Sequence, residues 1–167
     1  MGWAKRVLDA NQARREIKRR MLKFAEEAPK EVTDQMTASA GEITVAMRMI
    51  VPVRSGKLKK SIGYGFKKDM PEGAQMFAHG KFGLHSVFVW AGSAIAYWAR
   101  WVEFGTADSG PHRIAKGPRK GQMGAGHTAT PARPFFWPVW RAWKKEVKKD
   151  MRKAYKKVGQ RVFGGQS

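Results

Sequence analysis

Pro52 closes a long stretch whose apolar spacing is helical. Val32, Met36, Ala40, Ile43, Met47 and Ile50 recur every three or four residues, the period of one helix face. Upstream, Ile17, Met21, Phe24, Ala25 and Ala28 continue in the same steps, among the basic residues Arg14, Arg15, Lys18, Arg19, Arg20 and Lys23. Proline breaks a helix interior, so the spacing predicts either a kink at Pro29 or a second helix of about 30 Å over residues 29–49. Pro52 then ends the helical region, because the residue before a proline is pushed out of helical geometry. The methionine-rich stripe reads as core packing.

Beyond Pro52 the pattern changes. Ser55-Gly56 marks a turn, and over residues 58–66 Ile62, Tyr64 and Phe66 alternate with Ser61, Gly63 and Gly65, as in a strand. Residues 67–80, with Pro71-Glu72-Gly73, read as a polar loop. Residues 86–92 are the clearest strand, able to pair with the first as a hairpin. In residues 94–106, Ile95, Trp98 and Val102 and also Tyr97, Trp101 and Phe104 fit helical spacing, with Gly105 as the stop.

Residues 107–131 form a loop rich in Gly, Lys and Arg, expected to be mobile in the free protein and to order on a partner. A last helix is expected over residues 135–158, with Pro134 and Pro138 near its first turn. Trp140, Val147, Met151, Ala154 and Val158 give it an apolar face. Arg141, Lys144, Lys145, Lys148, Lys149, Arg152, Lys153, Lys156 and Lys157 cover the others.

The fold class that follows is α+β: a long N-terminal helix, a small antiparallel sheet, a short middle helix and a basic C-terminal helix. One domain over residues 1–167 is expected, divided into a helical arm (1–50), sheet plus middle helix (51–106), flexible loop (107–131) and C-terminal helix with tail (132–167). No internal repeat is visible.

Charge bounds the partners. There are 33 Lys and Arg against 13 Asp and Glu, a formal net charge of +20. Such a chain is drawn to polyanions: nucleic acid, an anionic surface or an acidic protein. Hydrophobic residues make up 43%, with seven Trp and nine Phe, enough to build a core. The absence of cysteine excludes disulfides and thiolate chemistry. The N-terminal residues lack the apolar segment of a secretory signal, and no apolar run approaches the ~20 residues of a membrane helix. A soluble protein made in a cytoplasm, with no membrane partner, is the expectation.

Catalytic patterns are missing. His79, His85, His112 and His127 show no metal-ligand spacing, although His112 and His127 share a loop and could approach each other. Gly56-Lys57 is followed by Leu58 rather than Ser or Thr, so it is not a phosphate-binding loop, and no Gly-x-Ser-x-Gly elbow exists. Neither a cofactor nor a metal is expected. Glu103 is the one carboxylate in an apolar setting, either a buried acid or a carboxylate paired with arginine or backbone donors. Tryptophans could stack on bases, but Trp137 and Trp140 lie near the apolar face of the last helix and read as core.

Three motifs occur in order: Val51-Pro52-Val53-Arg54-Ser55-Gly56-Lys57-Leu58-Lys59-Lys60-Ser61-Ile62, then Tyr97-Trp98-Ala99-Arg100-Trp101-Val102-Glu103-Phe104-Gly105-Thr106, then Pro131-Ala132-Arg133-Pro134-Phe135-Phe136-Trp137-Pro138. Together they resemble the head–tail joining or neck proteins of long-tailed phages, also described as tail components and similar in role to the tail-completion protein Z of phage lambda. Ser55 replaces the family's usual threonine and keeps its hydroxyl.

The resemblance implies no catalytic activity. It implies a virion subunit, assembled in the host cytoplasm into a ring around the DNA conduit. Head-closure or adaptor proteins would lie above it and the tail terminator or tube below. Six-fold symmetry is favoured. Pro52, Ser55, Gly56, Leu58, Ser61, Tyr97, Val102, Glu103, Gly105, Thr106, Pro131, Ala132, Arg133, Pro134 and Phe135 carry the motifs. Pro52 and Gly56 would set the helix-to-strand turn. Glu103 and Arg133 would form a buried pair, with Phe135 and Phe136 anchored in the core. Arg119, Lys120, Lys144, Lys148, Lys149, Arg152 and Lys156 are the candidate contacts to DNA or partners. A basic nucleic-acid-binding protein, and a tail terminator or head-closure subunit, are the alternatives.

Overall fold

A computed structural model describes residues 2–82 and 85–164, and side chains over residues 9–81 and 85–164. Residues 165–167, the end of the expected C-terminal tail, lie outside the described residues. The architecture is α+β, with the expected long first helix, small antiparallel sheet, short middle helix and basic last helix.

Helix α1 (Gly2–Ile50) runs unbroken for 49 residues, about 73 Å. No second helix starts at Pro29, contrary to one of the two expectations. The proline removes the N–H that Ala25 would have accepted, a loss of about 3 kcal/mol in an unsupported helix. Tertiary contacts on both sides of it hold the helix together. Ala28 and Val32 are buried, and Glu27 and Glu31 are tied to Arg161 and Lys157 of the last helix at 2.8 and 3.1 Å. Pro29→Ala is expected to raise the unfolding free energy by about 1–2 kcal/mol in denaturant titrations. Unchanged or lower stability would mean that the proline ring itself is needed there.

The last helix, α4 (Trp137–Phe163), starts two residues later and ends five later than the spacing suggested. It packs antiparallel along α1, so Phe163 and Tyr155 meet Phe24 with ring centroids 5.5 and 5.0 Å apart. Val158 and Val162 bury against Ala28. Beyond that contact α1 continues as an arm: residues 9–19 are all exposed except Glu16, which is half-buried. Ile17 and Met21, read from spacing as part of an apolar face, are 57% and 59% exposed.

Residues 57–61 are helical, not the start of a strand: α2 (Lys57–Ser61) follows Gly56 at φ +73°. Leu58 and Ile62 both reach the core at a four-residue step, which a strand would place on one face only by leaving Lys60 beside them. Only Gly63–Gly65 forms strand β1. Within the expected polar loop lie a 3-10 turn at Lys67–Asp69 and a strand the sequence reading missed, β2 (Met76–Phe82). Strand β3 (His85–Ala91) sits between β1 and β2, antiparallel to both. The hairpin therefore joins β2 to β3, while β1 pairs with β3 as expected.

Met76, Ala78, Val87, Val89 and Ala91 face α1 and join its stripe of Val32, Met36, Ala40, Ile43 and Met47 in one core. On the other face Trp90 lies across β1, where a Cβ on Gly63 would come within 2.8 Å of its indole. That close approach is what the glycine permits.

Helix α3 (Ala99–Phe104) is shorter than the expected middle helix and buries Ala99 and Glu103. Tyr97 just before it, and Trp101 and Phe104 within it, remain about half exposed, at 53%, 52% and 58%. Residues 107–131 are not a structureless loop. Bridges at Thr106–Thr130 and Ser109–His127 lead into strands β4 (His112–Arg113) and β5 (Met123–Gly124), paired in the same register. The result is an antiparallel ribbon about 26 Å long, closed by turns at Gly117 and Gly121, both with φ +87°.

Candidate assembly surface

The three motifs converge. Val102 and Glu103 on α3 meet the segment leading into α4, and Gly105-Thr106 meet the base of the ribbon at Thr130. The Glu103 carboxylate is 3% exposed. Its Oε2 accepts the backbone N–H groups of Phe135 and Phe136 at 2.7 and 2.8 Å, and Oε1 accepts that of Trp137 at 2.9 Å.

These are orphan donors at the start of α4, and the next residue, Pro138, has none. Phe136 cannot cap the helix with its own side chain, so a carboxylate from another element does it. The positive end of the helix dipole favours that charge. The expected Glu103–Arg133 pair does not form. Arg133 is exposed, and its backbone N–H donates to the Val102 carbonyl at 2.8 Å. Three amides already fill the carboxylate, and an arginine there would have to be buried without further partners.

Gly105 has φ +73° and ψ −177°, a region open essentially to glycine alone. A Cβ there would lie 2.6 Å from the Thr130 carbonyl oxygen. Thr106 and Thr130 exchange backbone hydrogen bonds at 3.0 Å, and the Thr106 hydroxyl also accepts the Thr130 N–H. Phe135 and Phe136 are fully buried. Ser61 ties the first motif to the sheet: its hydroxyl donates to the Leu58 carbonyl and accepts the Gly92 N–H at 3.1 Å. The exposed side chains of Pro131, Ala132 and Pro134 surround this junction without entering the core.

Thr130 was not singled out from sequence. Its signal was a β-branched residue placed symmetrically to Thr106 across a glycine-rich segment.

The first motif turns alongside this junction. Pro52, Arg54, Ser55, Gly56 and Leu58 line a groove of about 780 Å³ whose other wall is Trp98, Val102, Thr130, Pro131 and Arg133. A second groove of about 810 Å³, shared through Trp98, Val102 and Thr130, lies on the other side of that wall. Tyr97 and Trp101 stack edge to face at its margin, 5.5 Å apart.

The candidate contacts to DNA or partners sit elsewhere. At roughly 100° per residue, Arg141, Lys145, Lys148, Arg152 and Lys156 fall within about 80° of arc on α4, opposite buried Val147, Ala154 and Val158. None of the five forms an ion pair among the described residues, whereas Lys149 and Lys153 are paired with Glu146 and Asp150 at 3.3 and 3.1 Å. Lys144 lies nearer the core edge of the helix and is also unpaired. Arg119 and Lys120 are exposed at the ribbon tip with Arg113 and Lys116.

On the arm, Glu16 is held by hydrogen bonds from Arg19 and Arg20 and its pKa falls to about 2, so it remains anionic and offsets part of the arm's charge. His127 and His112 each hydrogen-bond within the ribbon. The Nδ1 of His127 bonds the Ser109 hydroxyl and that of His112 the Gly110 carbonyl. No group of three metal-ligating residues occurs among the described residues. No helix among them is long and apolar enough to cross a membrane.

A family model described as "Bacteriophage HK97-gp10, putative tail-component" matches residues 15–105, more than half of the chain. The chain belongs to the HK97-gp10-like family. Comparison with curated proteins and with solved structures gave no match. The family match takes in α1 from residue 15, the first motif, the sheet and α3 through Gly105. The ribbon and α4 follow it. Membership makes this chain a structural phage protein, a tail component with other virion proteins as its natural partners.

Proposed function

We propose that this HK97-gp10-like protein acts without catalysis as a subunit of the neck ring, joining head to tail around the DNA conduit. Six copies are favoured by the usual symmetry of such tails, and a cyclic assembly closes without free interfaces. Head-closure or adaptor proteins would sit above it and the tail terminator or tube below.

The observation that carries the DNA-facing part is the unpaired stripe Arg141, Lys145, Lys148, Arg152 and Lys156 on the outer side of α4. It extends about 22 Å and can neutralise several phosphates. The ribbon tip with Arg119 and Lys120 offers a second contact.

Deleting the gene and imaging the lysate by electron microscopy tests the role. Filled or leaking heads beside separate, finished tails are expected, and intact particles would refute it.

The stripe also favours a second reading, a nucleic-acid-binding protein outside the virion. That reading requires tight binding of duplex DNA by the monomer, with a log–log salt slope near −4 or steeper. For the ring subunit, weak monomer binding is expected, with the triple variant Lys145→Ala/Arg152→Ala/Lys156→Ala lowering the slope by about 3. Equal slopes for variant and wild type would remove α4 from the DNA-facing surface.

A further inference from the structure

The groove between the first motif and the α3–α4 junction is built like a receptor. Val53, Trp98, Val102 and Pro131 give it an apolar wall, and Val53 is 62% exposed with nothing packed over it. Arg54 and Arg133 stand on its lining, both exposed, and neither side chain has an acidic partner among the described residues. No carboxylate lines it. The floor is rigid, because Leu58 is core and Val102 precedes the buried cap Glu103.

We infer that this groove docks a segment of a different protein, one that presents an apolar or aromatic side chain flanked by carboxylates. The inference rests on the assembly reading, and names the chemistry of one of its partners.

Charge selects the occupant. An apolar wall with two free guanidinium groups recognises an apolar anchor and carboxylates together, and guanidinium–carboxylate pairs are strong and directional. A second copy of this chain is a poor fit in this groove, whatever other surfaces the copies share. Its projecting elements, the α1 arm and the ribbon, are themselves basic. Nucleic acid would satisfy the arginines but leave the apolar wall without an anchor.

The probe is a fluorescein-labelled peptide, Asp-Glu-Phe-Leu-Glu-Asp, titrated with the purified full chain by fluorescence anisotropy. A second peptide replaces Phe-Leu with Ser-Ser. Arg54→Glu/Arg133→Glu is compared with Lys148→Glu/Arg152→Glu, which changes net charge equally on α4. All four side chains are exposed, and melting curves confirm folding.

The groove variant is expected to weaken peptide binding by about tenfold or more, the α4 variant by less than about threefold. The serine peptide is expected to bind at least about tenfold more weakly to wild type. Equal weakening by both variants, equal binding of both peptides, or no binding at all would overturn the proposal. So would loss of self-association in the groove variant without peptide, which would give the groove to a second copy. None of these outcomes depends on particle morphology, so failure here and failure of the neck role are separable.

Discussion

Replacing Glu103 with alanine is expected to lower the unfolding free energy by about 4 kcal/mol. The side chain is 3% exposed and accepts three backbone N–H groups at 2.7–2.9 Å. Each buried donor left without an acceptor costs roughly 1–3 kcal/mol, and part is recovered where water reaches half-buried Trp137. The helix dipole of α4 loses its counter-charge in the same change. Glu103→Gln should cost about half as much, since one oxygen still accepts while the amide nitrogen opposes an N–H. Denaturant unfolding measures both, and hydrogen exchange at the amides of residues 135–137 localises the effect. An alanine variant as stable as wild type would show that the cap is not structural.

Gly105→Ala is expected to cost about 3–5 kcal/mol, and Gly56→Ala only about 1 kcal/mol, although both glycines have φ +73°. The surroundings differ. A Cβ on Gly105 would meet the Thr130 carbonyl oxygen at 2.6 Å and the Ala132 nitrogen at 2.9 Å, both backbone atoms that cannot turn away. A Cβ on Gly56 would meet nothing within 4 Å. Gly56 also has ψ −10°, in a left-handed region that other residues visit at modest cost. Relief of the clash at Gly105 would pull the ribbon base from α3 and break the Thr106–Thr130 pair. Parallel thermal melts of the two variants decide it, and the reverse ranking would refute the packing argument.

Much of the candidate surface was readable in advance as residue positions, but not as contacts. Glu103 stood out because a lone carboxylate among Val102 and Phe104 must find partners. The sequence could not say which. Charge alone points to Arg133, yet backbone amides take the carboxylate because they are buried and otherwise unpaired at a helix start. The groove was invisible from sequence, since its walls come from residues 52–58, 98–102 and 130–133. Tyr97 and Phe104 fit helical spacing, which does not say whether their face is buried. Only the position of neighbouring elements leaves them outside.

The sequence by itself determined what depends on local repetition and local conformational freedom. These are the long helix with its Val32–Met47 stripe, the strand before Gly92, the stop at Gly105 and the cationic outer face of α4. Tertiary structure decided what depends on partners distant along the chain. It carried α1 through Pro29, because α4 packs and pairs on both sides of that residue. It made residues 57–61 helical, because Leu58 and Ile62 are both needed in the core. It paired the two arms of a glycine-rich segment into a ribbon, and gave Glu103 three amides more than 30 residues away. Such contacts are set by burial and unsatisfied backbone groups rather than by neighbouring residues, so no local pattern records them.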